Sequence, residues 1–97
     1  MENNKQFVKE LADSKATLSV GGVYYFANSD KLLGCAAGLE EAKTVEIDLG
    51  TLAYADYTAC ETLVEVYEDL IKNGADVTFK NVPDDTTKTL KQIGIKM

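Results

Sequence analysis

The stretch from Ile47 to Ala59, Ile-Asp-Leu-Gly-Thr-Leu-Ala-Tyr-Ala-Asp-Tyr-Thr-Ala, constrains the chain more than any other: a strand runs into a loop that opens a helix. Val45, Ile47 and Leu49 alternate with Glu46 and Asp48, the period-two pattern of a sheet covered on one face, which predicts a strand over 44–49. Gly50 to Tyr57 then reads as a loop delivering a helix N-terminus. Thr58 and Glu61 stand three apart, the spacing of a capping box in which each side chain accepts from the other residue's backbone N–H. Free N–H groups and the helix dipole there favour negative charge. No catalytic group lies close to this junction in the sequence.

Composition narrows the functions available. Ninety-seven residues make one domain with a modest core. All ten basic residues are lysines, and histidine and tryptophan are absent. Without histidine no side chain has an ordinary pKa near neutrality, so acid–base or Ser-His chemistry would need a strongly shifted carboxylate or lysine. Without arginine there is no bidentate phosphate clamp and no arginine finger. A net charge of −6 opposes nucleic acids and anionic membrane surfaces. The expectation is a chain with no catalytic residues, not an enzyme, and not a nucleic-acid binder.

Cys35 and Cys60 fall in predicted helices and form neither a CxxC pair nor part of a zinc-binding set; they read as small buried residues in a reducing compartment. The acidic runs at Glu40-Glu41 and Glu65, Glu68 and Asp69 read as solvated faces rather than metal sites. The polar N-terminus lacks the apolar core of a secretory signal, and no apolar run approaches the roughly twenty residues of a membrane span. The expected location is cytoplasmic.

Along the chain, residues 1–15 carry Phe7, Val8 and Leu11 at helical spacing and read as a linker or short helix ahead of a domain at 16–97. Thr17–Val20 and Val23–Phe26 flank Gly21-Gly22, which predicts a tight antiparallel hairpin. Alternation would place Tyr25 opposite Tyr24 and Phe26. Asn28 or Ser29 can cap a helix to about Ala42, with Leu32, Leu33, Ala36 and Leu39 on one face. The central helix is read at 58–73, its apolar stripe being Leu63, Val66, Tyr67, Leu70 and Ile71, with Gly74 as its stop. Val77–Val82 is the next strand, and a last helix starts at Asp84 or Asp85 and stops at Gly94. Strands alternating with helices imply parallel pairing through right-handed crossovers: an α/β fold with a four- or five-stranded mixed sheet and helices packed on it.

Three segments in order, Gly22-Val23-Tyr24-Tyr25-Phe26-Ala27-Asn28-Ser29, Asp56-Tyr57-Thr58-Ala59-Cys60-Glu61-Thr62-Leu63 and Gly74-Ala75-Asp76-Val77-Thr78-Phe79-Lys80-Asn81-Val82, resemble the STAS domain. That fold is shared by bacterial anti-sigma factor antagonists and the cytoplasmic tails of SulP-type anion transporters. The first segment is similar to the Gly-x-Leu-Phe-Phe-Ala-Asn-Ala run of transporter-type domains, and the second to their Asp-x-Thr-Ala-x-Glu-x-Leu variant. Coverage runs from about Thr17 to Ile95.

The resemblance implies a non-catalytic regulatory domain of a SulP-type sulfate or bicarbonate transporter. It would dock to the membrane domain, to a second copy forming a homodimer, or to another cytosolic protein. The alternative it implies is a free-standing anti-sigma factor antagonist in a phosphorylation-controlled switch. In those antagonists the residue after the loop Asp is the phosphorylated serine; here Tyr57, Thr58 and Ala59 occupy the corresponding run, a departure from that pattern. The partner loop is expected at Asp56, Tyr57, Thr58, Ala59 and Glu61, with Thr58 or Tyr57 as phosphoacceptor. Asp56 has a structural reading beside that one, as an acceptor for backbone N–H groups that fixes the loop. The resemblance also raises nucleotide binding, for which the exposed N–H groups near Thr58 and the lysines Lys80 and Lys88 could hold a phosphate; no phosphate-loop motif supports it and the acidic balance opposes it, so weak binding or none, and no other cofactor, is expected.

Overall fold

The computed structural model describes residues 6–97. The first five residues of the expected N-terminal linker lie outside that range. Residues 7–12, read as linker or helix, are instead strand β1 (Phe7–Ala12), antiparallel to β2 (Lys15–Val20) with Ala12 opposite Lys15. Asp13, at φ 58°, makes the turn, a left-handed conformation that aspartate tolerates better than most residues. The hairpin therefore precedes the one expected at Gly21-Gly22.

Those two glycines do different work. β2 continues into a four-stranded mixed sheet of order β1-β2-β4-β6, in which β4 (Thr44–Asp48) and β6 (Asp76–Lys80) run parallel to β2. Gly22, at φ 66°, turns the chain out of that sheet into β3 (Gly22–Tyr24), which pairs in parallel with β5 (Leu52–Ala55). Its N–H donates to the Thr51 carbonyl at 2.9 Å. So β2 and β3 are not a hairpin, and the segment expected as a loop after Gly50 contains a strand.

Alternation in β2 and β4 buries Ala16, Leu18, Val20, Val45 and Ile47 on one face, while Thr17, Ser19, Thr44, Glu46 and Asp48 are only partly covered on the other. Helix α1 (Ser29–Ala36) is shorter than its predicted extent; a 3₁₀ turn over Ala37–Leu39 completes the segment and buries Leu39. Leu32 is buried but Leu33 is exposed, so the expected apolar face is narrower than drawn. Asn28 does not cap α1: its Oδ1 accepts from the Tyr25 N–H at 3.2 Å, closing a 3₁₀ turn over Phe26–Asn28.

Helix α2 (Tyr57–Lys72) buries Leu63, Val66 and Leu70 against the sheet, and Tyr67 stacks on Phe79 of β6 at 5.1 Å between ring centroids. Ile71, placed on that stripe by periodicity, faces solvent. Gly74, at φ 97°, ends the helix as the sequence indicates. Helix α3 (Asp84–Ile93) packs on α2 and seals a smaller apolar cluster of Cys60, Val64, Leu90 and Ile95.

Candidate functional site

The junction between β5 and α2 is organised by one carboxylate. Asp56 is the residue in extended conformation (ψ 170°) just before the first helical turn, and its Oδ1 accepts from the Ala59 N–H at 2.7 Å. Asp56, not Thr58, is therefore the N-cap. The expected capping box is replaced because Tyr57 already has helical conformation, so Thr58 lies inside the first turn where its hydroxyl has no cap to make. The second oxygen of Asp56 accepts from the Phe26 N–H at 3.2 Å, and the Asp56 N–H donates to the Tyr24 carbonyl at 3.2 Å. One residue thus ties the exit of β3 to the start of α2.

This tie sets the surface around it. Tyr24 is fully buried; its hydroxyl pairs with the Ser29 hydroxyl at 3.1 Å, its ring meets Phe7 edge-on at 5.4 Å, and burial raises the phenol pKa. Because β3 ends there and a 3₁₀ turn follows, Phe26 does not return to the side of Tyr24, contrary to simple alternation. Tyr25, Phe26, Tyr54 and Tyr57 are instead 51%, 62%, 53% and 50% exposed. Tyr25 and Tyr54 meet edge-on at 6.0 Å across the two strands. Tyr54 and Tyr57 together line a hollow of about 330 Å³ whose far side is Pro83, Asp84, Asp85, Thr86 and Thr89 at the start of α3.

Of the residues singled out from sequence, Asp56 is the structural clamp, Tyr57 and Thr58 are exposed in the first turn of α2, Ala59 is buried beneath that turn, and Glu61 is exposed one turn on. Thr58 and Glu61 line a second hollow of about 510 Å³ with Thr62, Val64, Glu65, Glu68 and Ile93. Three glutamates and no lysine line it, and Lys80 lies on β6 paired with Glu46 at 3.6 Å. Tyr54 stands outside the set expected from sequence because the segment after Gly50 reads there as a loop; the alternating Leu52-Ala53-Tyr54-Ala55 is the signal available for it.

The thiols are unlike each other. Cys60 is fully buried under the first turn of α2, and burial, reinforced by the Asp56 charge, pushes it up to about 11. Cys35 is half-buried; burial raises it as well, opposed by Lys9. Among the described residues no group of three or more potential ligands gathers as a metal site, and no helix is long and apolar enough to cross a membrane.

No curated protein matches the chain in sequence. Among solved structures, it is similar in fold to the Bacillus cell fate determinant SpoIIAA in its phosphorylated form (TM-score 0.74, 11% identity, 91% of this chain and 83% of that one). It is also similar to the murine anion transporter Slc26a9 (TM-score 0.72, 14% identity), covering 89% of this chain but 15% of the transporter. For Mglu the TM-score is 0.71 at 20% identity, over 79% of this chain and 19% of Mglu. The STAS domain family model matches residues 6–97, a range that takes in β1, the Asp56 clamp and α3 alike. With sequence pattern, strand order and family match in agreement, this chain belongs to the STAS domain family.

Proposed function

We propose that this chain is a regulatory docking domain of a SulP-type anion transporter, acting by protein contact and not by catalysis. The observation that supports this best is the aromatic surface held by Asp56: Tyr25, Phe26, Tyr54 and Tyr57 each leave half or more of their area in water. Rigidly mounted aromatic side chains are the residues that dominate binding energy at protein interfaces. Its partner would be the cytoplasmic face of the transporter's membrane domain or another cytosolic protein, biasing the transporter through contacts that differ between its conformations. In this reading the chain sits at the cytoplasmic face of the membrane and takes no cofactor. The likeness to Slc26a9, of which it covers 15%, suits a domain appended to a much larger membrane protein.

The test is to titrate isotope-labelled chain with the membrane domain encoded upstream in frame, following amide shifts. Shifts clustered at Tyr25, Phe26, Tyr54 and Tyr57 are expected, with Phe26→Ala and Tyr57→Ala weakening binding at least about tenfold, or 1.4 kcal/mol each. Unaltered binding in both variants would overturn the reading, as would the lack of any upstream membrane domain.

The fold likeness over 83% of SpoIIAA supports a second reading, a free-standing antagonist-like protein in a phosphorylation switch. Thr58 would then be the favoured acceptor: it is exposed in the first turn of α2, where the dipole tolerates phosphate. Since Asp56 makes the cap, phosphorylation would leave the cap intact and act by repelling Asp56 and Glu61. Mass spectrometry after incubation with a genomically neighbouring kinase separates this from modification at Tyr57 or none.

A further inference from the structure

β6 ends the four-stranded sheet, with no strand beyond it among the described residues. Its sequence, Asp76-Val77-Thr78-Phe79-Lys80, is complementary to itself when reversed about Thr78. We propose that this edge pairs with the same edge of a second copy of the chain, antiparallel about a two-fold axis through Thr78, joining two sheets into one of eight strands.

Three independent features favour that register. The first is side-chain pairing: with Thr78 opposite its own counterpart, Asp76 faces Lys80 of the copy and Val77 faces Phe79 of the copy. Opposite charges and apolar pairs directly across an antiparallel ladder are the favourable cross-strand combinations. The second is hydrogen-bond phase. The Asp76 N–H donates to the Lys43 carbonyl at 2.8 Å and the Lys80 carbonyl accepts from the Leu49 N–H at 2.9 Å, so residues 76 and 80 turn their backbone groups inward to the β4 side. Alternation then turns those of Val77 and Phe79 outward. In the proposed register Val77 and Phe79 of the copy lie opposite one another, so each outward N–H meets an outward carbonyl and four ladder bonds close; Thr78 forms the non-hydrogen-bonded pair at the axis.

The third is burial. Val77 and Phe79 are only partly buried and pack against the core from the edge, whereas Asp76, Thr78 and Lys80 lie on the opposite, exposed face. Pairing covers the apolar face of each edge with that of the other copy. Charges on an edge strand ordinarily block such pairing. Here they have opposite signs and stand equally far from Thr78, so in this register they attract. A five-residue edge falls below the interface size of a tight complex, so free chains are expected to dimerise weakly, with Kd on the order of 10⁻⁴ M. None of these residues belongs to the aromatic docking surface.

Sedimentation equilibrium of the full chain up to about 1 mM tests this. The native chain is expected to dimerise, and Asp76→Lys or Lys80→Asp alone to weaken association at least tenfold by facing like charges. Mixing those two variants should restore dimers as heterodimers, because each supplies the charge the other lacks. Val77→Pro removes only an outward N–H, spares the β4 ladder and should also give monomers. Thr78→Cys in a Cys35→Ser background should cross-link to dimer on mild oxidation, since non-hydrogen-bonded pairs approach to about 4.5 Å between Cα atoms. A native chain that stays monomeric throughout, or a dimer indifferent to these substitutions, overturns the proposal; circular dichroism verifies that each variant is folded.

Discussion

Asp56 and Thr58 are two residues apart and structurally opposite. Asp56→Ala removes an acceptor from both the Ala59 and Phe26 N–H groups and should cost about 2 kcal/mol in urea denaturation. Thr58→Ala, at an exposed position that caps nothing, should stay within about 0.5 kcal/mol. The sequence could suggest Asp56 as a backbone acceptor because aspartate has that habit at turns. It could not identify the Phe26 N–H, thirty residues away, because that partner is set by the parallel pairing of β3 with β5. Cys60 carries a pH signature. Its folded pKa is raised from 9.0 to about 11, so the unfolded chain loses that proton first as pH climbs. The contribution is constant below about pH 9 and is lost as pH rises through 11, by about 3 kcal/mol in all. Comparing the native chain with Cys60→Ala at about pH 8 and 10.5 should show the variant's relative stability improving at the higher pH. At pH 8, thiol reagents should modify Cys35 well before Cys60.

Among the elements, α2, α3, β4 and β6 were legible because each carries either strict alternation or a helical stripe closed by Gly74 or Gly94. β1 was not. Val8 is partly buried, and Lys9, Glu10, Leu11 and Ala12 are all exposed, so an edge strand with little cover has no period-two signature and Phe7, Val8 and Leu11 mimic a helix. β5 was hidden by its four-residue length. The candidate site inherits that weakness: its clamp is visible, but the surface it holds, Tyr25 beside Tyr54, depends on the pairing of β3 with β5, which no local pattern specifies. The reassignment of β1 has a direct test. Deleting residues 1–14 would be nearly neutral for a linker, whereas here it strips the ladder from β2 and the Phe7 ring from Tyr24. A loss of about 3 kcal/mol, or roughly 15 °C in melting temperature by calorimetry, is expected.

At the scale of the molecule, charge and topology set the behaviour. The net charge of −6 repels itself across a small surface, so raising NaCl from about 10 to 150 mM should raise the melting temperature by a few degrees. An unchanged or lower value would mean that local pairs, and not net charge, dominate; only one ion pair, Lys80 with Glu46, is formed among the described residues. The parallel pairing of β3 with β5 carries a further consequence, one of timing. A parallel pair cannot zip from a tight turn; its strands are separated by α1, β4 and the crossover between them, and closure must await that whole segment. The Asp56 clamp needs α2 to have begun as well. During synthesis from the ribosome, the β1–β2 hairpin can therefore settle first, while the aromatic surface has no form until the first turn of α2 has emerged. A chain interrupted before Ala59 would carry the same aromatic residues without the Asp56 tie that fixes their geometry.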